Sequence, residues 1–299
     1  MKVGLIGLGD IAAKAYLPVI AKKDLEVHLF TRNEATLSNV ARSYWFAGAH
    51  QTLESLVTSG IQAAFVHTST SSHREIVETL LQNNIHVYVD KPVTYDFGST
   101  EKLVELANRK GCILMAGFNR RYAPAYVSLK HLKDINMILM QKNRKSLPGD
   151  VRTFVFDDFI HVIDTLLYLF PVPVESISIT GRKLENRLYH VVIQFHSTSG
   201  ITAIGIMNRD SGTVEERVEV FSPEEKRCVT NVTDTTIFKD GDAIGKGGND
   251  WQSTLHKRGF EQITDAFLNA VAGNESAGDL HRDLLLTHKI CEQVVAELL

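Results

Sequence analysis

The chain has 299 residues, and at about 150 residues per domain that length predicts two domains rather than one. With 44% hydrophobic and 22% charged residues, 7 Pro and 20 Gly, disordered and collagen-like classes are excluded. The balance of 32 Lys and Arg against 35 Asp and Glu gives a net charge of -3, so no bulk basic field favours nucleic acid or an anionic membrane surface. No run approaches the roughly 18 apolar residues of a membrane helix, and the apolar start VGLIGLG is broken by Asp10 and Lys14, which leaves a cytoplasmic location as the expectation. The 3 cysteines, Cys112, Cys228 and Cys291, are far apart and odd in number. They read as buried free thiols, and no Cys/His spacing suggests a metal.

Apolar runs alternate with helical patterns through the first 120 residues, the signature of parallel βαβ units. Strands are predicted at Lys2–Ile6, Glu26–Phe30, Ala63–His67, His86–Val89 and Ile113–Ala116. Helices are predicted at Ile11–Lys22, Glu34–Ser43 with Asn33 as its cap, Ser72–Gln82 and Phe97–Arg109, from apolar residues at helical spacing. After Pro124 the rhythm changes. One short helix leads to strand-like segments Val174–Thr180, Tyr189–His196, Ile201–Met207 and Val214–Phe221, read as an antiparallel meander. In the last of these Val214, Val218 and Val220 alternate with Glu215, Arg217 and Glu219, so one face is expected to be solvated or covered by a second copy of the chain. Helices at Lys257–Ala272 and Asp279–Leu298 close the chain, with Gly241–Gly248 as a mobile loop.

The first strand runs into Gly7-Leu8-Gly9-Asp10-Ile11-Ala12, a G-x-G-x-x-A turn in the strand-to-helix context that dinucleotide binding requires. Gly7 makes the tight turn, Gly9 lets the backbone approach a pyrophosphate, and Ala12 lets the helix pack closely. The helix N-terminus then faces the phosphates. At the end of the second strand, where an acidic residue selects NAD by its ribose, stand Thr31, Arg32 and Asn33. With no carboxylate and with donors suited to a 2′-phosphate, the segment predicts NADP in preference to NAD. The alternative for Arg32 is stacking on adenine or simple solvation.

Three further motifs follow in order: Asp90-Lys91-Pro92, Gly117-Phe118-Asn119-Arg120-Arg121-Tyr122, and Asp157-Asp158-Phe159-Ile160-His161 continuing to Asp164. With the glycine turn they resemble the Gfo/Idh/MocA (glucose-fructose oxidoreductase and inositol dehydrogenase) family, most nearly its bacterial MviM-type virulence-factor branch, over nearly the whole chain. The resemblance implies an α/β fold. In it, an N-terminal NAD(P)-binding Rossmann domain over residues 1–119 is followed by a C-terminal α+β domain with a large, mainly antiparallel open sheet over residues 120–299. It also implies hydride transfer between nicotinamide and a sugar, cyclitol or related carbonyl compound. By this resemblance Lys91 is the first catalytic candidate, and Asp157 and His161 form the pair on the substrate side. Asp90, Asn119, Thr68, Ser69 and His73 lie along the cofactor. Phe159 stands where the family has Gly, which is expected to narrow the pocket or reshape its rim.

The residues support a site on physical grounds as well. Phe159–Phe170 is apolar on nearly every side, yet Asp157, His161, Asp164 and Thr165 fall along one stripe of it, and such groups need partners or a wet cavity. Lys91 ends a parallel strand, where open α/β sheets place their ligands. Arg120, Arg121, Tyr122 and Asp158 are expected to hold substrate, with the arginines alternatively pairing with Asp157, Asp158 or Asp164. Trp251 either covers a sugar face or anchors its loop. In the expected chemistry His161 is general acid/base, Asp157 orients it and Lys91 polarises the carbonyl. Two other readings remain open: glycoside cleavage without net redox change, and a nucleotide-binding regulator without turnover. A homodimer through the C-terminal sheet is the expected assembly.

Overall fold

The computed structural model describes residues 1–246, 250–273 and 277–299, which divide into two units. Met1–Gly117 and Phe260–His288 form the first, and Phe118–Gly259 with Lys289–Leu299 the second. In the first, β1 (Lys2–Ile6), β2 (Glu26–Phe30), β3 (Gly48–His50), β4 (Ala63–Val66), β5 (His86–Val89) and β6 (Leu114–Ala116) form a six-stranded sheet in the order β3-β2-β1-β4-β5-β6. Every pairing is parallel. All four residues of β4 are buried, as expected of a parallel sheet covered on both faces. The order turns back beside β1, and ligands of such sheets bind at the carboxyl ends of the strands there.

The connecting helices are α1 (Leu17–Ile20), α2 (Glu34–Tyr44), α3 (Leu53–Thr58), α4 (Thr70–Gln82) and α5 (Phe97–Lys110). Their ends follow local chemistry: the side chains of Asn33, Thr52 and Asp96 each accept a backbone N–H in the first turn of α2, α3 and α5, and Gly111 ends α5 at φ 63°. Two features were not foreseen. A π-helical turn, Ala12–Tyr16, precedes α1, and β3 with α3 fills the interval 48–58, where three residues of strand carry too little pattern to read.

In the second unit a 3₁₀ turn at Asn119–Tyr122 leads to α6 (Pro124–Lys130) and β7 (Met137–Asn143). Then come α7 (Val151–Phe154), a π-helical turn at Val155–Phe159 and α8 (Ile160–Leu169). The strands β8 (Ser176–Leu184), β9 (Arg187–His196), β10 (Thr202–Asn208), β11 (Glu215–Phe221), β12 (Lys226–Thr230), β13 (Asp234–Lys239) and β14 (Asp242–Lys246) follow, and then α9 (Thr254–Lys257). The sheet order is β14-β13-β12-β11-β7-β10-β9-β8. It is mainly antiparallel, as expected, but β7 inserts between β11 and β10 and runs parallel to β10, so it is not a simple meander. Helix α8 lies on β7 and β10, close enough that a Cβ at Gly205 would come within 2.7 Å of Val162 and Leu166.

Several expectations are corrected here. Val214 is 57% exposed, and Glu216 takes the inward position beside Val218 and Val220. Phe159 is fully buried, so it fills core rather than a pocket rim. Of the expected loop Gly241–Gly248, residues 242–246 form β14, and Gly247 and Gly248 lie outside the described residues. The chain closes with α10 (Phe260–Val271) and α11 (Ala277–Leu298). The expected helix from Lys257 is broken at Gly259, whose φ is +82° and where a Cβ would lie 2.6 Å from the Ala123 nitrogen. A division at residue 119 assigned both closing helices to the second domain, but Phe260–His288 belongs with the first unit. The reason is aromatic burial: the Phe267 ring lies 5.1 Å from Phe65 and 5.6 Å from Tyr88. The three cysteines are buried and free, and among the described residues no helix is long and apolar enough to cross a membrane.

Replacing Phe267 by Ala removes a fully buried ring and is expected to lower unfolding free energy by about 3–5 kcal/mol. Urea titration measures it.

Candidate functional site

At the end of β1, Gly7 has φ +84°, and a Cβ there would come within 2.7 Å of the His67 and Thr68 backbone. Only glycine closes this turn. At Gly9 a Cβ would meet nothing within 4 Å, so the backbone faces the open space that a pyrophosphate needs. Ala12 is fully buried. These residues fit the nucleotide they were expected to hold. Asp10 is exposed and paired with Lys14 at 2.7 Å. Thr31 is half-buried and Arg32 exposed, while the Asn33 side-chain oxygen is committed to capping α2 at 2.9 Å.

The loops after β4 and β5 are tied together by His73. Its ring nitrogens lie 2.9 Å from the Pro92 carbonyl and 3.1 Å from the Thr68 carbonyl, and the ring is 1% exposed. His73, expected along the cofactor, therefore ties these two loops together from a buried position. Ser69 caps α4 by position, with its hydroxyl 3.2 Å from that of Ser71. Asp90 accepts the Lys91 N–H at 2.9 Å, and burial raises its carboxyl above the usual range. Lys91 is half-exposed just beyond β5, and the Lys91–Pro92 bond is cis. Beneath them His67 stacks on Tyr16 at 3.9 Å, and the Tyr16 and Tyr88 hydroxyls meet at 2.6 Å. Burial drives His67 down to about 3 and Tyr16 well up, so both rings stay neutral.

In the second unit, the 3₁₀ turn and the π-helical turn bring charged groups onto the inner face of the sheet. Arg120 donates from Nε and Nη2 to Glu216 at 2.6 and 2.7 Å, and Tyr126 donates to the same carboxylate at 2.8 Å. The remaining Arg120 Nη1 donates to His161 Nδ1 at 2.8 Å. A guanidinium has no lone pair to accept with, so Nδ1 must be the acceptor and the neutral ring carries its proton on Nε2. Arg120, not Asp157, is thus the group that fixes His161 through Nδ1. In this arrangement Nε2 can donate a hydrogen bond but has no lone pair for a proton, which departs from the expected general-base role.

The other expected substrate residues also have internal partners. Arg121 donates to both Asp164 oxygens at 3.0 Å, the alternative kept open for these arginines. Asp158 is buried and accepts from Lys142 at 2.6 Å and Arg209 at 2.9 Å. Asn119, expected along the cofactor, donates to the Arg258 carbonyl at 2.8 Å. Asp157 and Tyr122 are half-buried, and Trp251 is 95% exposed. Lys142, Arg209, Glu216 and Tyr126 were missed. A signal existed for two of them: Lys142 and Glu216 sit at inward positions of their strands, opposite each other in register, and a charge at an inward position demands a partner.

Electrostatically, burial would raise the Glu216 carboxyl, but Arg120 with Lys142 and Tyr126 outweighs it and holds it at about 2. Burial, with Arg120 nearby, pushes Lys142 down to about 7 against the pull of Asp158 and Glu216. The Asp158 carboxyl, despite burial, is held well below its usual range by Lys142, Arg209 and Arg144. Glu216→Gln leaves Arg120 without its counter-charge and is expected to cost about 3–5 kcal/mol at neutral pH. Because the folded pKa lies below the ordinary 4.5, the stabilisation is present above that value and lost as pH falls through about 2. In urea unfolding the gap between wild type and variant should narrow over that window.

Comparison with known proteins agrees with this architecture. Residues 1–118 match a model of the oxidoreductase family with an NAD-binding Rossmann fold, and residues 124–240 match the YceM-like C-terminal domain. A Salmonella typhimurium protein named as an oxidoreductase, YceM, is 32% identical over 288 residues, 93% of each chain. The myo-inositol 2-dehydrogenase of Thermotoga maritima is 24% identical over 260 residues, covering 79% of this chain and 77% of its own. Among solved structures, a Gfo/Idh/MocA family oxidoreductase from Vibrio cholerae superposes with a TM-score of 0.93 at 28% identity, covering 100% of this chain and 98% of that one. A dehydrogenase (MviM) from Clostridium difficile gives 0.92 at 30% identity over 99% of both. A parallel sheet with a glycine turn, followed by a YceM-like domain, identifies the chain as a member of the Gfo/Idh/MocA oxidoreductase family.

Proposed function

We propose that the protein is an NADP-linked dehydrogenase or reductase that moves a hydride between nicotinamide and a hydroxyl or carbonyl carbon of a sugar or cyclitol. The observation that carries this reading is the glycine turn, closed at Gly7 and open at Gly9, in a sheet whose β5 ends in Asp90-Lys91-Pro92. The Thermotoga maritima relative, a myo-inositol 2-dehydrogenase, supports the substrate class.

Gly9 and Ile11 would hold the pyrophosphate on backbone N–H groups at the start of the helical segment, with Gly7 shaping the turn, its own N–H spent on the Phe30 carbonyl at 2.9 Å, and Ala12 letting the helix pack closely. Thr31 and the exposed Arg32 would donate to the 2′-phosphate, and the segment holds no carboxylate to accept from a ribose 2′-hydroxyl. Thr68 and Ser69, steadied by His73, would line the cofactor. When bound, the nicotinamide supplies or accepts the hydride. Lys91 would donate to the reacting oxygen and deliver the proton that carbonyl reduction requires. His161, neutral and held by Arg120, would act as a fixed N–H donor to the substrate, a role that stabilises developing negative charge. Asp157 would orient a substrate hydroxyl. On the outer face of the second sheet, the half-exposed Leu139, Val192, Ile204 and Ile206 support a homodimer.

Lys91→Ala should abolish turnover and leave NADPH affinity within about tenfold, equivalent to roughly 1.4 kcal/mol. Retained turnover would remove Lys91 from this role. His161→Gln keeps a side-chain N–H and is expected to retain more activity than His161→Ala, which loses on the order of 100-fold. Equal, complete loss in both would return His161 to proton transfer. Fluorescence titration of the nucleotide-free protein should show tighter binding of NADPH than of NADH, and the reverse order would overturn the Thr31-Arg32 argument.

A further inference from the structure

Granted the proposed hydride transfer, on which this inference rests, the charges around His161 decide which substrates the site would use. Four cationic side chains, Arg120, Lys142, Arg144 and Arg209, gather about two carboxylates, Asp158 and Glu216. Glu216 is spent on Arg120, which grips it with two N–H groups. Asp158 alone then faces Lys142 at 2.6 Å, Arg209 at 2.9 Å and Arg144 at 3.6 Å. Counting the adjacent Asp157 in full still leaves four cations to three anions. Two of the cations are deeply placed, with Lys142 3% and Arg209 8% exposed.

Surplus buried charge is costly, because the desolvation penalty is not repaid without a counter-charge. The protein relieves part of this by lowering the proton affinity of Lys142. A neutral polyol adds no charge and leaves the imbalance as it is, whereas an oxyanion removes it. Arg144 is the accessible member, with 38% of its side chain exposed. At 3.6 Å from Asp158 it is beyond a good hydrogen bond, so its planar fork keeps donors to offer a carboxylate or phosphate. We infer that the site beside His161 takes an oxyanion, so that the substrate is an acidic sugar or cyclitol derivative held through Lys142 and Arg144.

The test is isothermal titration of the full-length protein with NADPH present, so that the nucleotide's own phosphate sites are filled. The probes are glucuronate, glucose 6-phosphate and inorganic phosphate, with glucose as the neutral control. At least one oxyanion should bind about tenfold or more tighter than glucose, and the order of carboxylate and phosphate identifies which group the site takes. Lys142→Met and Arg144→Ala should each weaken that oxyanion about tenfold and leave glucose unchanged. Lys142→Met removes one partner of the buried Asp158, which keeps Arg209 at 2.9 Å, so its folding is checked by its thermal midpoint, and Arg144→Ala tests the idea without touching the core. Equal affinity for glucose and the oxyanions, or oxyanion binding unaffected in both variants, overturns the inference. Consumption of NADPH separates it from the functional reading. Neutral sugars turned over as fast as acidic ones would end the inference and spare the function, whereas Lys142-dependent oxyanion binding with no NADPH consumed by any sugar would do the opposite.

Discussion

A guanidinium buried to 7% exposure has to be matched, and the match between Arg120 and Glu216 is the constraint on which the second unit's candidate site depends. Glu216 can serve only because β11 pairs with β7 in a register that turns it inward opposite Lys142. Arg120 can reach it only because the chain turns at Asn119–Tyr122, a turn closed by the Asn119 bond to the Arg258 carbonyl and by the bare backbone of Gly259. With two guanidinium nitrogens on Glu216, the third meets His161 with an N–H. The state of the imidazole is thereby set by a carboxylate on another strand. Removing either charge of such a buried pair is far costlier than the pair's net worth suggests, so the arrangement is rigid for the same reason that it is expensive.

The first unit solves a different problem with less charge. Its glycine turn needs two residues without side chains for opposite reasons: at Gly7 there is no room, and at Gly9 the room has to be kept. Below the turn, Tyr16, His67, Tyr88, Phe65 and Phe267 form a layer of rings in which burial keeps the titratable members neutral. His73 bridges two loop carbonyls and so holds the segments that carry Thr68 and Lys91. Rigidity at a strand end allows short loops to present polar groups in fixed positions.

Much of the fold was legible because its signals are local. Periodic apolar runs marked most of the parallel strands and helices of the first unit, and caps such as Asn33 behave as their chemistry dictates. The glycine turn announced its own use. What stayed hidden depended on long-range pairing: β7 carries Met137–Asn143 between two strands that come far later in the chain, and no local pattern reveals that insertion. The same is true of the partners. Arg120 and Arg121 read as ligand-binding arginines because their carboxylates are 96 and 43 residues away. Glu216 could have been found, since it breaks an inward row of valines, but its meaning needed the register that places it beside Arg120. Phe159 shows the opposite error: a departure from a family motif suggested a changed pocket, where the side chain simply fills core.

The most direct measurement is nitrogen NMR of the His161 imidazole in histidine-labelled protein at neutral pH, assigned by comparison with His161→Gln. If Arg120 fixes the ring, Nδ1 will show the shift of an unprotonated acceptor and Nε2 that of a protonated donor, and Glu216→Gln will disturb both. An imidazolium, or the tautomer protonated at Nδ1, would contradict the geometry and with it the assignment of His161 as a fixed donor.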